Sequence, residues 1–280
     1  MRRRAFRRRR GAKGEQAGEE MLEALERGNL FVIALDAQRH WYRYHHLFAE
    51  VLRARLLKEQ PAQVPNLHRR ASAWYEQNDL PSDAIRHALA GADFERAAAL
   101  VERTWPAMRR RRQEATVLRC VRALPDSLFH ARPVLSVVSA WAHLDGGEYD
   151  VAEAYLQEAE GWLDEAKDEA ESARIPATEK DGVPMVVADE AQYHSLRATI
   201  ANARAYRAQA LDDIPGTVFQ ARQALELLQE DGYYERGTTT ALLGLAYWAS
   251  GDLQAAPVPN LLPSASAAVP AAYPRYLRFR

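Results

Sequence analysis

One cysteine, Cys120, is all the sulfur chemistry that 280 residues offer beyond methionine. That excludes an internal disulfide framework and fits a reducing cytoplasm. No apolar run reaches the roughly 18 residues that a membrane helix needs. The basic start lacks the apolar stretch of a secretory signal. Net charge is almost absent as well. Against 38 acidic residues stand 37 basic ones, so whole-molecule charge points to no nucleic-acid or membrane partner. No G-x-x-x-x-G-K-[ST] occurs, which excludes a phosphate cradle of the P-loop kind. The stretch "GAKGEQAG" has its glycines in the wrong order, and no strand precedes it. The histidines His40, His68, His87, His130, His143 and His194 are scattered and lack the paired spacing of a metal site. No Ser-His-Asp or Cys-His order stands out. The expectation is therefore a non-enzymatic protein with no catalytic residue, no metal and no resident cofactor.

What is present is helix-forming. Apolar residues make up 48% and charged residues 27%, the balance of an ordinary globular protein. Alanine, leucine, arginine and glutamate recur, and all favour helices. Residues 1–20, arginine-rich and then glycine- and glutamate-rich, show no apolar period and are expected to be a disordered basic tail. From Met21 the pattern changes. "MLEALERGN" places Met21, Leu22 and Leu25 on one helix face. "LFVIAL" reads as a strand, and "HWYRYH" as a second one, antiparallel through a short polar turn. From His46 the period becomes helical, with Leu47, Val51 and Leu52 as a stripe that Phe48 and Leu56 widen. Helix, hairpin, helix over residues 21–60 is the order of a small winged-helix unit.

Beyond Pro61 everything reads as helix to about residue 256. Pro81 opens one helix at a favoured early position, Asp93 is placed to cap the next, which ends near Trp105, and Pro125 stops a third. "VLSVVSAWAHL" is almost wholly apolar and belongs inside. Residues near 164–187 are charged and then carry Pro176, Gly182 and Pro184, so a long mobile loop is expected there. Helices resume over about 188–210, 216–229 and 234–250. Residues 257–280 hold five prolines and form an irregular tail.

Three segments align within the helical part: "ADFERA" from Ala92, "GEYDVA" from Gly147 and "GDLQAA" from Gly251. "DDIPGT" from Asp212 is a weaker fourth copy. The spacing is irregular but of helix-pair size. "LGLAYWASGDLQAA" has Leu243, Gly244, Tyr247, Gly251 and Ala256 at tetratricopeptide spacing. Gly244 is expected to let a partner helix approach, and Tyr247 to fill the groove. The fold class expected is mainly α: a small winged-helix unit followed by a TPR-like α-α superhelical repeat.

Three stretches in this order resemble the middle part of MalT-like LuxR-family transcriptional regulators, of the STAND class of signalling ATPases. They are "MLEALERGNLFVIALDAQRHWYRYHHLFAEVLRARL", "LHRRASAWYEQNDLPSDAIRHALAGADFERAAALVE" and "ALPDSLFHARPVLSVVSAWAHLDGGEYDVAEAYL". The resemblance implies an ATPase module before the winged helix, an inducer-sensing superhelix after it, and DNA binding through a C-terminal helix-turn-helix. This chain is expected to lack both outer parts, as a truncated or frame-shifted reading frame would. ATP or ADP is then expected only with the absent ATPase module.

"YHHLF", Tyr44 to Phe48, resembles the methionine-histidine-aspartate motif of related winged helices. By that resemblance His45 matches the histidine that faces the β-phosphate of ADP, while His46 departs from the aspartate. The bland alternative is that both rings cap the helix or pack beside Tyr42. Trp141, Tyr155, Tyr193 and Tyr206 are available to line an inducer- or protein-binding surface, or simply to pack in the core. Arg109 to Arg112 lie at a helix end, where cations are favoured by the dipole, and are alternatively an anion or DNA site. A second functional reading is a winged-helix DNA-binding protein with a helical dimerisation tail, using Arg53, Arg55 and Lys58.

Overall fold

A computed structural model describes residues 6–7, 24–25, 27–28, 31–35, 41–171, 179–180, 183–229 and 232–251. Expectations for most of 1–20, for the polar turn at 36–39 and for the proline-rich 257–280 lie outside these residues. The chain divides into two compact units, residues 1–97 and 98–280. The boundary expected at 60/61 thus falls inside the first unit.

The first unit begins with a three-stranded sheet in the order β1-β3-β2, made of β1 (Phe6–Arg7), β2 (Val32–Ala34) and β3 (Trp41–Tyr44). The expected hairpin is present, with Val32 opposite Tyr44 and Ala34 opposite Tyr42. The arginine-rich start, expected to be disordered, supplies β1, and Phe6 pairs with Tyr42. An unpaired strand edge accepts backbone partners whatever their side chains, and composition does not reveal that. Val32 and Tyr42 are buried on one face of the sheet.

Helix α1 (His46–Glu59) follows without a break. None of its residues is buried, and Leu47 and Val51 are 59% and 63% exposed. The expected apolar stripe therefore covers no core among the described residues. Phe48 turns toward the sheet, stacking on Phe31 at 5.1 Å and meeting Tyr44 edge-on at 5.6 Å. Helices α2 (Val64–Gln77) and α3 (Pro81–Ala90) then pack as a hairpin. His68 and His87 join them through an Nδ1–Nδ1 hydrogen bond of 2.8 Å, with Tyr75 stacked on His87.

In the second unit, α4 (Phe94–Arg110, which begins in the first unit) is followed by α5 (Glu114–Val121), α6 (Pro133–Asp145) and α7 (Tyr149–Glu171). After the short strands β4 (Glu179–Lys180) and β5 (Val183–Pro184) come α8 (Glu190–His194), α9 (Leu196–Ala210), α10 (Ile214–Leu227) and α11 (Tyr233–Ser250). The apolar α6 is buried from Pro133 to Leu144, as its composition requires. It packs on α7 and α9, which contribute Leu156, Ala159 and Ile200 to the core. Arg204 of α9 grips both Glu153 and Glu160 of α7.

The repeat read from the sequence has a backbone basis. Its four copies start at Ala92, Gly147, Asp212 and Gly251, and these residues have φ of 51°, 78°, 59° and 76°. Each is the left-handed residue that ends a helix. In three of them the next N–H reaches back five residues to a helix carbonyl: Asp93 to Ala88, Glu148 to His143 and Asp213 to Ala208, at 3.0, 2.9 and 2.9 Å. This closure satisfies carbonyls that the helix end leaves free. Asp79, read from the sequence as closing its helix with Asn78, and Arg112 have φ of 55° and 54° and make the same turn, although neither was read as a copy of the repeat.

Two expectations are corrected around α4. The helix was expected to end near Trp105, but it runs to Arg110 through Pro106. Proline has no N–H for the carbonyl four residues earlier, that of Glu102. The side chain of Gln192 donates to that carbonyl instead, at 2.8 Å. The loop expected over 164–187 is also different. Helix α7 continues to Glu171, and Val186 donates its N–H to the Ala131 carbonyl at 2.7 Å. The segment leading to α8 is thus tied down at Ala131 and Glu102. Beneath it lies a buried ion pair, Arg132 Nη1 to Glu102 Oε1 at 3.2 Å.

At Gly244 the expected close approach is not made by any described residue: a Cβ there would meet nothing within 4 Å. The second helix of that hairpin would follow Gly251, outside the described residues. Tyr247 does fill its groove, packing with Ala205, Ala221 and Leu243.

Candidate ligand site of the helical repeats

His45 sits where the strand turns into α1. It is the N-cap residue, its N–H donates to the Phe31 carbonyl at 2.6 Å, and its own carbonyl accepts from Ala49. Its ring makes no capping hydrogen bond; it lies against His46 with centroids 4.4 Å apart. The imidazole is half-buried and beside a helix N-terminus, where backbone N–H groups favour an anion. Arg53, Arg55 and Lys58 are exposed on α1, and Arg55 is engaged by Glu59 at 2.9 Å.

The four aromatics singled out in the sequence separate into different places. Trp141 is buried in the core between α6 and its neighbours, and Tyr206 of α9 packs on it at 5.7 Å. Tyr155 lies elsewhere, stacked on His143 and close to Phe129. Trp141 and His143 are two positions apart, so they project from different faces of α6. Tyr193 packs against the same core cluster without reaching Trp141 in a ring pair.

Arg109, read from the sequence as a helix-end cation, is instead a central element. Its guanidinium carbon lies 3.5 Å from the centre of the Trp141 ring and 5.6 Å from that of Trp105. Arg110, Arg111 and Arg112 remain exposed. Burial lowers the Arg109 pKa, while Tyr234, Asp145, Glu235 and Glu114 oppose that by their charge. None of these acids forms an ion pair with it, and its guanidinium has no hydrogen-bond partner among the described residues.

Asp145, one turn beyond Trp141, is pushed from 3.8 up to about 6, chiefly by burial against protein atoms and against the opposing pull of Arg109. Yet its surface remains exposed. Trp141 Nε1 and Asn202 Oδ1 are buried without hydrogen-bond partners. Trp105 with Arg109, Trp141 with Asp145, and Asn202 with Tyr206 are each four residues apart, hence on one helix face. That i,i+4 pairing was a signal present in the sequence. What it lacked was any sign that the three faces meet.

Residues 12–64 match the family model of the MalT winged helix domain. The chain is MalT-like. It is 28% identical to the HTH-type transcriptional regulator MalT of Serratia proteamaculans (strain 568) over 241 residues, which is 86% of this chain and 24% of that protein. It is 28% identical to MalT of Yersinia enterocolitica over 244 residues, again 24% of the relative. A shorter stretch of 127 residues, 45% of the chain, is 37% identical to part of the serine/threonine-protein kinase PknK of Mycobacterium tuberculosis (strain ATCC 25618 / H37Rv) and covers 11% of it. No solved structure matches. The chain thus spans about a quarter of the MalT regulators it resembles, and the likeness extends past the winged helix into the helical repeats. No helix among the described residues is long and apolar enough to cross a membrane.

Proposed function

We propose that this chain is the winged-helix and sensor-repeat region of a MalT-like transcriptional regulator of the LuxR family and STAND class, working in the cytoplasm. Its helical repeats, of the tetratricopeptide kind, bind an inducer or a protein partner. The observation that carries the reading is Arg109: a half-buried cation of α4 that lies over the Trp141 ring at 3.5 Å and beside that of Trp105 at 5.6 Å, with no hydrogen-bond partner among the described residues. A core arginine kept only for packing is normally paired, whereas a ligand-binding one has donors to spare. The tie from Gln192 to the Glu102 carbonyl sets the segment before α9 against the helix that carries Arg109, which keeps the site preorganised.

In this reading the chain transmits rather than transforms. It makes no covalent change in its ligand. His45 reads nucleotide phosphate only when an ATPase module is joined to the winged helix, and DNA is engaged only through a C-terminal helix-turn-helix.

The test is ligand recovery. The purified chain is incubated with a metabolite extract, re-isolated and examined by native mass spectrometry beside Arg109→Gln. The expected result is a small molecule retained by the parent and released by the variant. Retention of nothing, or retention that ignores Arg109, contradicts the reading.

A further inference from the structure

We propose that the Arg109–Trp141 site takes a small zwitterion carrying both a carboxylate and a primary ammonium, of which a free α-amino acid is the simplest. This rests on the ligand-sensing reading above and names the chemistry of the ligand.

The argument is one of charge and geometry. Arg109 presents a planar fork of N–H donors with no acceptor among the described residues. A carboxylate matches that fork with two parallel hydrogen bonds, and desolvation strengthens them. Stacking on Trp141 and Trp105 holds the guanidinium plane in place, so little freedom is lost on binding. A lone anion is nevertheless a poor fit. Asp145, Glu114 and Glu235 all act on Arg109 by their charge, so three carboxylates oppose a single cation.

An added anion would meet net repulsion. An added cation would suit the acids but leave the arginine unmatched. A ligand with one group of each sign satisfies both sets. Its carboxylate goes to Arg109, and its ammonium to Asp145 and the neighbouring acids. Among the described residues no ion pair joins Arg109 to these carboxylates, and a zwitterion would bridge the two signs. The free acceptor of Asn202 and the free donor of Trp141 add neutral positions at the same helix faces. The ligand's side chain then lies against Trp105 and Tyr206, which sets its size and polarity.

The experiment uses the whole purified chain. Calorimetry and tryptophan fluorescence follow titration with each of the twenty common L-amino acids. The best binder is then compared with its N-acetyl and carboxamide forms. The expected result is saturable binding by at least one amino acid, weakened tenfold or more by blocking either end. Arg109→Gln is expected to lose binding tenfold or more, and Asp145→Asn to lose it with the carboxamide preference unchanged.

Because Arg109→Gln could disturb folding, its unliganded thermal midpoint is measured alongside. If that falls, the blocked-ligand comparison on the parent chain decides. Equal binding of a blocked form, or no binding by any amino acid, overturns the proposal. Arg109-dependent binding of a neutral sugar or polyol also overturns it, while leaving the ligand-sensing reading intact.

Discussion

Replacing Gln192 by leucine tests how α4 tolerates a proline in its interior. Pro106 cannot bond to the Glu102 carbonyl, and Gln192 Nε2 takes its place at 2.8 Å. Glu102 is fully buried, so water cannot substitute freely. An abandoned buried acceptor costs about 1–3 kcal/mol, and Gln192→Leu should destabilise the chain by about 2 kcal/mol. Other changes enter that number, including loss of the Gln192 contact to Asp189 at 3.0 Å.

A double-mutant cycle removes them. In a Pro106→Ala background the alanine N–H can donate to the Glu102 carbonyl, as in any helix. The Gln192→Leu penalty should then shrink by ~1 kcal/mol or more. Urea unfolding of the four proteins, followed by far-ultraviolet circular dichroism, measures the coupling. A penalty that is the same with proline and with alanine would refute the idea that Gln192 repairs the missing helix bond.

Other outcomes follow from the same structure. Burial outweighs Arg132 and lifts the Glu102 carboxyl from 4.5 to about 7, so the folded state holds this proton more tightly than the unfolded one. The stabilisation is complete below pH 4.5 and is lost as pH rises to about 7. Glu102→Gln lacks that loss and should gain on the parent by on the order of 3 kcal/mol between pH 4.5 and 8; parallel stability curves would count against it. Ala92 has φ 51°, a conformation glycine adopts without steric cost, so Ala92→Gly should raise stability by ~1 kcal/mol, read as a higher thermal midpoint. The Asp145 carboxyl, expected to titrate at about 6, should titrate higher in Arg109→Gln because the neighbouring cation favours its charged form. Carbon-13 NMR of the carboxyl carbon reads this, and an unchanged or lower value would show that the two groups do not interact.

Much of the helical unit was legible because periodicity and punctuation act locally. The apolar run from Val134 to Leu144 required a buried helix, and Pro81, Pro133 and the acid-containing turns marked starts that the structure keeps. The repeat was read through small residues and acids, but its physical basis is a left-handed residue at each helix end. Glycine at 147 and 251 advertises that conformation. Ala92, Asp212, Asp79 and Arg112 adopt it without glycine, and of these the turn at Arg112 carried no signal in the sequence. The helix end before the expected loop was placed too early, because charge and proline suggest irregularity without saying what the backbone touches. Val186 and Gln192 are held by Ala131 and Glu102, which are distant in sequence.

The sequence alone determined the fold class of the protein: helical hairpins that follow a small sheet-and-helix module along the chain. That follows because helix period, capping and turn preference are properties of neighbours a few residues apart. Only the tertiary structure decided that Arg109 is a stacked, unpaired cation rather than one of four solvated arginines. It also decided that Trp141 faces it while Tyr155 does not. Those facts depend on which helix faces meet, and helices α4, α6 and α9 are brought together by packing over separations that no local pattern encodes.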